Sequence, residues 1–203
     1  MSEINQFHIR HASSAGDDAQ FIVAAFDSTI LYLTSIGAGA MWGEKPFSEK
    51  EGFEQETVES VQKSESHEDS VRIFIAKVKS PGAANAHPGA TPANTEQSAK
   101  QSVRVGAAMI REDSLPTYIT ERQEMKPEVD RAKHFLFMKL TGSLHKGARS
   151  ALIEAIKRYG RENNKNTLYV DCWAGNSGKL NKYYEKYGFI KVGDFSFGRA
   201  RET

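Results

Sequence analysis

The stretch Phe135–Val192, FLFMKLTGSLHKGARSALIEAIKRYGRENNKNTLYVDCWAGNSGKLNKYYEKYGFIKV, decides the fold. Phe135–Leu140 is apolar apart from Lys139, and Thr167–Trp173 is rich in aromatic and β-branched residues, the composition of strands. Between them Leu152, Ile153, Ile156 and Tyr159 recur at helical spacing, with Glu154, Lys157, Arg158 and Arg161 on the other face. Gly160 falls near the end of that helix, and Asn163–Asn166 form a turn. The whole reads as strand, basic glycine turn, helix, strand, loop, helix, and a last strand after Gly188. A strand, a crossover helix and a strand of this length make a βαβ unit, which predicts parallel strands and a right-handed crossover.

Ligands on such sheets bind beyond the carboxyl ends of the strands, where the turn Thr141–Arg149 lies. Gly142 and Gly147 have the glycine spacing of a P-loop, but Ala148 and Arg149 stand where Lys and Ser or Thr must be. Nucleoside triphosphate hydrolysis is therefore not expected, and the dinucleotide pattern GxGxxG is absent as well. What remains is an anion site made of helix-N-terminal amides, assisted by His145, Lys146 and Arg149. The same residues also fit an ordinary strand-to-helix turn with solvated basic side chains.

Downstream, Trp173-Ala174-Gly175-Asn176 follows the second strand, and Leu180, Tyr183, Tyr184 and Tyr187 form the apolar stripe of a short helix that stops at Gly188. Here the chain resembles the GNAT superfamily of acyl-CoA-dependent N-acyltransferases. That family places an Asn after the strand and then a helix ending in a pattern like (F/Y)YEKxGF, and Tyr183-Tyr184-Glu185-Lys186-Tyr187-Gly188-Phe189 matches it throughout. The family's pyrophosphate loop, (Q/R)xxGx(G/A), falls on Leu144-His145-Lys146-Gly147-Ala148-Arg149, where Gly147 agrees and Leu144 and Arg149 depart. Arg149 either pairs with a phosphate or crowds the site. A looser similarity, to a WLxxxGxxQWG-like pattern of small-molecule members, covers Ile30–Gly37 and Met41–Gly43 and marks Trp42 as a substrate-side residue.

The resemblance implies an α/β (α+β) GNAT fold: a mixed, mostly antiparallel sheet with a βαβ cofactor-binding unit and flanking helices. It implies acetyl-CoA, or another acyl-CoA, as cosubstrate, held by Leu140, the loop from Leu144 to Arg149, Asn176 and Tyr184. The phenol of Tyr184 would serve the leaving sulfur, although simple packing on the helix stripe explains that residue equally well. Asn176 either orients the cofactor arm or caps a helix starting near Gly178.

The rest of the chain fits this frame as one domain over 1–203. Phe7–Arg10 is a first strand, and Asp17 or Asp18 can cap a helix from Ala19 to about Ile36. Glu51–Ser64 reads as a helix, and Val71–Val78 and Val103–Arg111 as strands. Between the last two, residues 79–101 are rich in Ala, Pro, Asn, Ser, Gly and Thr. They bury too little to offset their ordering entropy and read as a flexible insertion. With 203 residues and a net charge of +1, nothing in the composition argues for nucleic acid or membrane, and no apolar run has bilayer length. The expectation is a cytoplasmic protein, with a homodimer admitted. Cys172 is the single cysteine, read as a buried, inert thiol, and no Cys/His cluster has metal-ligand spacing.

Acyl transfer to an amine needs a neutral amine, a stabilised oxyanion and a leaving thiolate. Deprotonating an amine of Lys-like pKa at neutral pH costs roughly 4.6 kcal/mol, whereas protonating a thiolate of pKa near 8.5 asks about 2 kcal/mol of an acid. The base therefore matters more than the acid. Phe135–Leu140 carries no carboxylate, which leaves His134, Glu121, Glu124 and Asp171 as candidate bases, a water chain, or an acceptor that arrives neutral. Backbone N–H groups near Met138–Leu140 are expected to meet the oxyanion. The acceptor reads as a small-molecule amine, lined by Trp42, Phe47 and Tyr118, with a protein amine admitted. The competing reading is a GNAT-fold binding or regulatory module with weak catalysis or none.

Overall fold

The computed structural model describes residues 7–35, 43, 45–79, 102–143 and 145–196. Trp42, Leu144 and the expected insertion from residue 80 onward lie outside the described residues. Five strands form one sheet in the order β1 (Phe7–His11), β2 (Val71–Lys79), β3 (Ser102–Glu112), β4 (Phe135–Ser143) and β5 (Thr167–Val170). The first three pairings are antiparallel and β4–β5 is parallel, so the mixed sheet and the parallel unit are both as expected. Two helices, α1 (Asp18–Ser35) and α2 (Phe53–Ser66), separate β1 from β2. The short helices α3 (Thr117–Thr120) and α4 (Lys126–Arg131) precede β4, α5 (Ala148–Glu162) connects β4 to β5, and α6 (Gly175–Glu185) follows.

The period-two alternation of strands divides the core into layers. Ile73, Ile75 and Ala107 face α1 and α2, meeting Ile22, Phe26 and Val61. Phe74, Ile110, Leu136 and Met138 face the other way, onto Leu152, Ile153 and Ile156 of α5. Each of these α5 side chains is fully buried, which contributes roughly 1.5–3 kcal/mol apiece. Gly160 sits in the last turn of α5, near its end as expected, and a Cβ there would come within 3.2 Å of Leu136 Cδ1; the glycine lets the helix lie close to β4. Strand β4 is covered on both faces, its odd residues Phe135 and Phe137 packing with Ile119 and Met125. That double cover is why its sequence runs apolar instead of alternating.

Three expectations change. The second strand ends at Val170, not Trp173, because the chain leaves the ladder at Asp171. Among the described residues no strand forms after Gly188: Phe189 packs on the core, but Ile190 and Val192 are 83% and 49% exposed, so no second apolar layer covers them. Neither Asp17 nor Asp18 caps α1 with its side chain. Asp17 pairs with Arg104 at 2.6 Å, and Asp18 is held by Arg10, Arg104 and the Ser13 N–H. Two guanidinium groups outcompete the helix's own amides for these carboxylates.

Candidate active site

The site begins where two strands part. Strands β4 and β5 run side by side from Phe135–Thr167 to Met138–Val170, and no later pair joins them. Strand β4 continues to Ser143, still bonded to β3 on its other side through Met109–Lys139, Ala108–Leu140 and Gly106–Ser143. Its outer edge from Lys139 on therefore faces a lane that β5 has left. The register shift between Gly106 and Ala108 gives this end of the β3–β4 ladder an extra residue on β4, a bulge of the kind that re-aims a strand. Leu140 contributes backbone to this lane.

The lane leads to the N-terminus of α5. Gly147 caps that helix with φ +90°, and no side chain bonds the cap. The first-turn amides of an α-helix have no partner within the helix, and the dipole there favours negative charge. Ala148 is fully buried, so the helix start is seated on the core. His145 lies edge-on to Phe7 with ring centroids 5.4 Å apart, its Nδ1 3.0 Å from the Lys146 carbonyl, while Lys146 is exposed. The Arg149 guanidinium rests 5.3 Å from the centroid of the Tyr183 ring. Ser150 hydrogen-bonds the Tyr187 hydroxyl, and Lys157 Nζ donates to the Tyr187 carbonyl at 2.7 Å, so α5 is tied beside the loop to the turn that follows α6.

Helix α6 starts before Gly178, with left-handed φ values of 57° at Ser177 and 66° at Gly178 interrupting its first turn. Asn176 lies in that turn, inside the helix, so the expectation of a cap does not hold; the cap position is Ala174. Tyr184, on the same helix, is buried against the α5 layer. Burial pushes its phenol well above the usual range, and the nearby charge of Arg149 only partly offsets this.

On the sheet face toward α1, the first two residues past the last ladder pair are Lys139 and Asp171. Tyr118 donates its hydroxyl to Asp171 Oδ2 at 3.1 Å. Burial raises the Asp171 carboxyl above the usual carboxylate range, more than the Tyr118 hydrogen bond and the Lys139 charge lower it. Burial also pushes Tyr118 up, with Asp171 adding to it. Lys139 Nζ lies 6.0 Å from the Phe26 ring centroid, Phe26 stacks on Phe47 at 4.8 Å, and Lys50 Nζ stands 3.5 Å over Phe47. Desolvation lowers the Lys139 pKa, as do the charges of Arg111 and Lys50, while Asp171 raises it. Cys172 is half-buried beside this group, its thiol raised first by burial and then by Asp171.

Solved structures with the same arrangement are found across nearly the whole chain. An N-acetyltransferase from Staphylococcus aureus Mu50 matches 92% of this chain and 85% of its own, at a TM-score of 0.53 and 16% identity. The chain has the GNAT fold. AAC(6')-Iy in complex with the bisubstrate analog CoA-S-monomethyl-acetylneamine matches 96% of this chain and 98% of its own, at 0.52 and 14%. A transcriptional regulator from Bacillus halodurans C-125 matches 95% and 99%, at 0.55 and 12%. No family model and no curated protein matches the sequence.

Within this GNAT frame, His145, Lys146, Gly147, Ala148 and Arg149 gather at one helix start, with Tyr183 of α6 and Tyr187 just past its end beside them. His134 does not join them: it precedes β4 at the far end from the lane, with φ +51° and its carbonyl bonded to the Asn166 N–H. Glu121 and Glu124 are exposed on the turn between α3 and α4. Of the four candidate bases, only Asp171 stands where the strands part. Sequence reasoning overlooked Lys139, Arg111 and Lys50 as site residues. The available signal was a single lysine inside the run Phe135–Leu140. Among the described residues no helix is long and apolar enough to cross a membrane.

Proposed function

We propose that this chain is an N-acetyltransferase that moves an acetyl group from acetyl-CoA to the primary amine of a small molecule by direct attack in a ternary complex. One observation carries the reading: the lane beside β4 from Lys139 to Ser143 runs into the Gly147-capped start of α5. An extended arm with amide groups can bond the free strand edge as an added strand would, and a pyrophosphate suits the helix start. The helix start fits such a group by its donors: no side chain hydrogen-bonds the Gly147 cap, and beyond the Ala148 N–H, which bonds the His145 carbonyl at 3.1 Å, the group would meet the amides of Arg149 and Ser150. Leu140 through its backbone, the loop from His145 to Arg149, and Asn176 would hold the cosubstrate. CoA bound to AAC(6')-Iy, the fold neighbour, supports a CoA-type cosubstrate.

The chain's own residues divide the work. Backbone N–H groups of β4 near Leu140 meet the carbonyl oxygen as it gains charge. Tyr184 serves the sulfur as a hydrogen-bond donor. A phenol raised above its ordinary ~10 gives its proton to a thiolate of pKa near ~8.5 only uphill, by about 2 kcal/mol or more. Asp171, the carboxylate with the raised pKa, takes the amine's proton more readily than a solvated aspartate.

A second reading, an acyl-CoA-binding module without turnover, draws on Arg149 in the loop. Thermal denaturation with acetyl-CoA and with desulfo-CoA tests the cofactor claim, since a ligand at a hundred times its Kd stabilises by about 2.7 kcal/mol. Stabilisation by both and acetylation of an amine are expected. Absence of stabilisation by either overturns the proposal, and stabilisation without turnover establishes the binding module.

A further inference from the structure

The acceptor side of the site has a charge pattern that selects a substrate. Lys139 and Asp171 are the first residues beyond the Met138–Val170 pair, so they stand on opposite banks of the lane where its two strands separate. Both follow residues that face α3 and α4: Phe137 on one strand and Tyr169 on the other. Tyr118 occupies one oxygen of Asp171 with a hydrogen bond of 3.1 Å. Among the described residues, no carboxylate lies within 4.0 Å of the Lys139 ammonium. Opposite charges have therefore been brought to the same mouth and kept apart.

The surroundings add to one side only. Arg111, aligned with Phe137 across the sheet, and Lys50, seated over Phe47, both act on Lys139. Arg111 and Lys50 thus add positive field at Lys139, against the one carboxylate, Asp171, that acts on it among the described residues, with Phe26 and Phe47 stacked between Lys139 and Lys50. A polycationic acceptor would meet like charge on most approaches, which at close range in a partly desolvated site costs several kcal/mol.

Resting on the acetyl-transfer reading, we propose that the acceptor is an amine bearing its own anionic group, of the class of α-amino acids or amino-organophosphates. Its ammonium lies at Asp171 and its anionic group at Lys139, with Arg111 and Lys50 adding field. The ammonium gives one proton to Asp171, the freed nitrogen lone pair forms the N–C bond to the acetyl carbonyl, the C–S bond breaks, and the second nitrogen proton passes to the departing thiolate, which leaves as the CoA thiol. The products are the N-acetylated anion and CoA, and the proton leaves Asp171 to solvent.

The test compares matched acceptors on the full chain, after calorimetry with desulfo-CoA. Free amino acids are set against their C-terminal amides and against diamines of similar length, and thiol release with acetyl-CoA is followed. Amides are expected to show roughly tenfold lower kcat/KM than the acids, the loss of one charge-assisted contact. Lys139→Glu is expected to reverse the preference toward amides and diamines, a reversal that mere damage to folding cannot produce. Equal or better use of amides and diamines by the unaltered protein overturns the proposal. So does an unchanged preference ratio in Lys139→Glu, or bound desulfo-CoA with no anionic amine turned over. Failure to bind desulfo-CoA instead overturns the acetyl-transfer reading beneath it.

Discussion

Phe7, the first residue of β1, lies directly behind Gly147: a Cβ on the glycine would sit 3.1 Å from Cε2 of the phenylalanine ring. The left-handed φ of +90° and this contact act together, so the loop conformation is specified by a residue 140 positions away as well as by the glycine itself. Gly147→Ala is expected to lose roughly 1–2 kcal/mol from the backbone strain alone, read by urea denaturation, and to weaken desulfo-CoA binding. Phe7→Leu placed on the Gly147→Ala background should return the part of the loss due to the contact but not the part due to φ. Full recovery, or none, would show that only one of the two causes operates.

Arg149 rests on the Tyr183 ring rather than across the start of α5. Such a contact is worth about 0.5–1 kcal/mol at an exposed site, little enough for a phosphate to draw the guanidinium away. Arg149→Ala is therefore expected to weaken desulfo-CoA binding several-fold and to flatten its dependence on salt, measured by calorimetry at low and high ionic strength. Tighter binding in the variant would make Arg149 an obstruction.

Tyr184→Phe separates a hydrogen bond from a full proton transfer. With burial holding the phenol above its ordinary range, the expected result is a kcat about tenfold lower with the KM for acetyl-CoA little changed, the size of one lost hydrogen bond. A fall of ~10²–10⁴ would identify Tyr184 as a complete general acid.

Asp18 is almost fully buried in the clasp of Arg10 and Arg104. Burial alone would raise its pKa, but the hydrogen bonds from Arg10, Ser13 and Arg104 outweigh that and hold it at about 2. A carboxyl depressed on folding contributes stability that is fully present above its unfolded pKa of ~3.9 and disappears as pH falls toward about 2, here roughly 2–3 kcal/mol. Asp18→Asn should destabilise at pH 7 by ~3–5 kcal/mol, because the Arg10 guanidinium loses its carboxylate partner while Arg104 keeps only Asp17. The gap to the unaltered protein should narrow at pH 3, as urea midpoints at the two pH values will show.

The elements most legible in the sequence were those whose neighbours are local or whose pattern is doubly reinforced. The Phe135–Leu140 run and the Leu152–Ile153–Ile156 stripe both announce burial, and they bury against each other. The segment after Gly188 looked equally apolar, yet Phe189 and Phe195 reach the core without forming a strand and Ile190 is left in solvent. Apolar composition cannot reveal whether a strand has a partner to pair with. The loop around Gly147 was legible because a glycine followed by a helix constrains the backbone. The Tyr118–Asp171 bond joins residues 53 apart, and its partner charge Lys139 was hidden inside an apolar strand. Both depend on where β4 and β5 stop pairing, which no local pattern encodes.

That stopping point has an evolutionary consequence. A lane one strand wide, walled by peptide groups, would be read by its occupant mainly through main-chain atoms that every residue supplies alike. Substitutions along it change little as long as the two strands still diverge at the same step. Such a device can drift to 12–16% identity with neighbours that keep the same architecture over more than nine-tenths of this chain. Under the acetyl-transfer reading, selection for particular side chains would then fall on the few positions at the mouth, where the acceptor could change without rebuilding the rest.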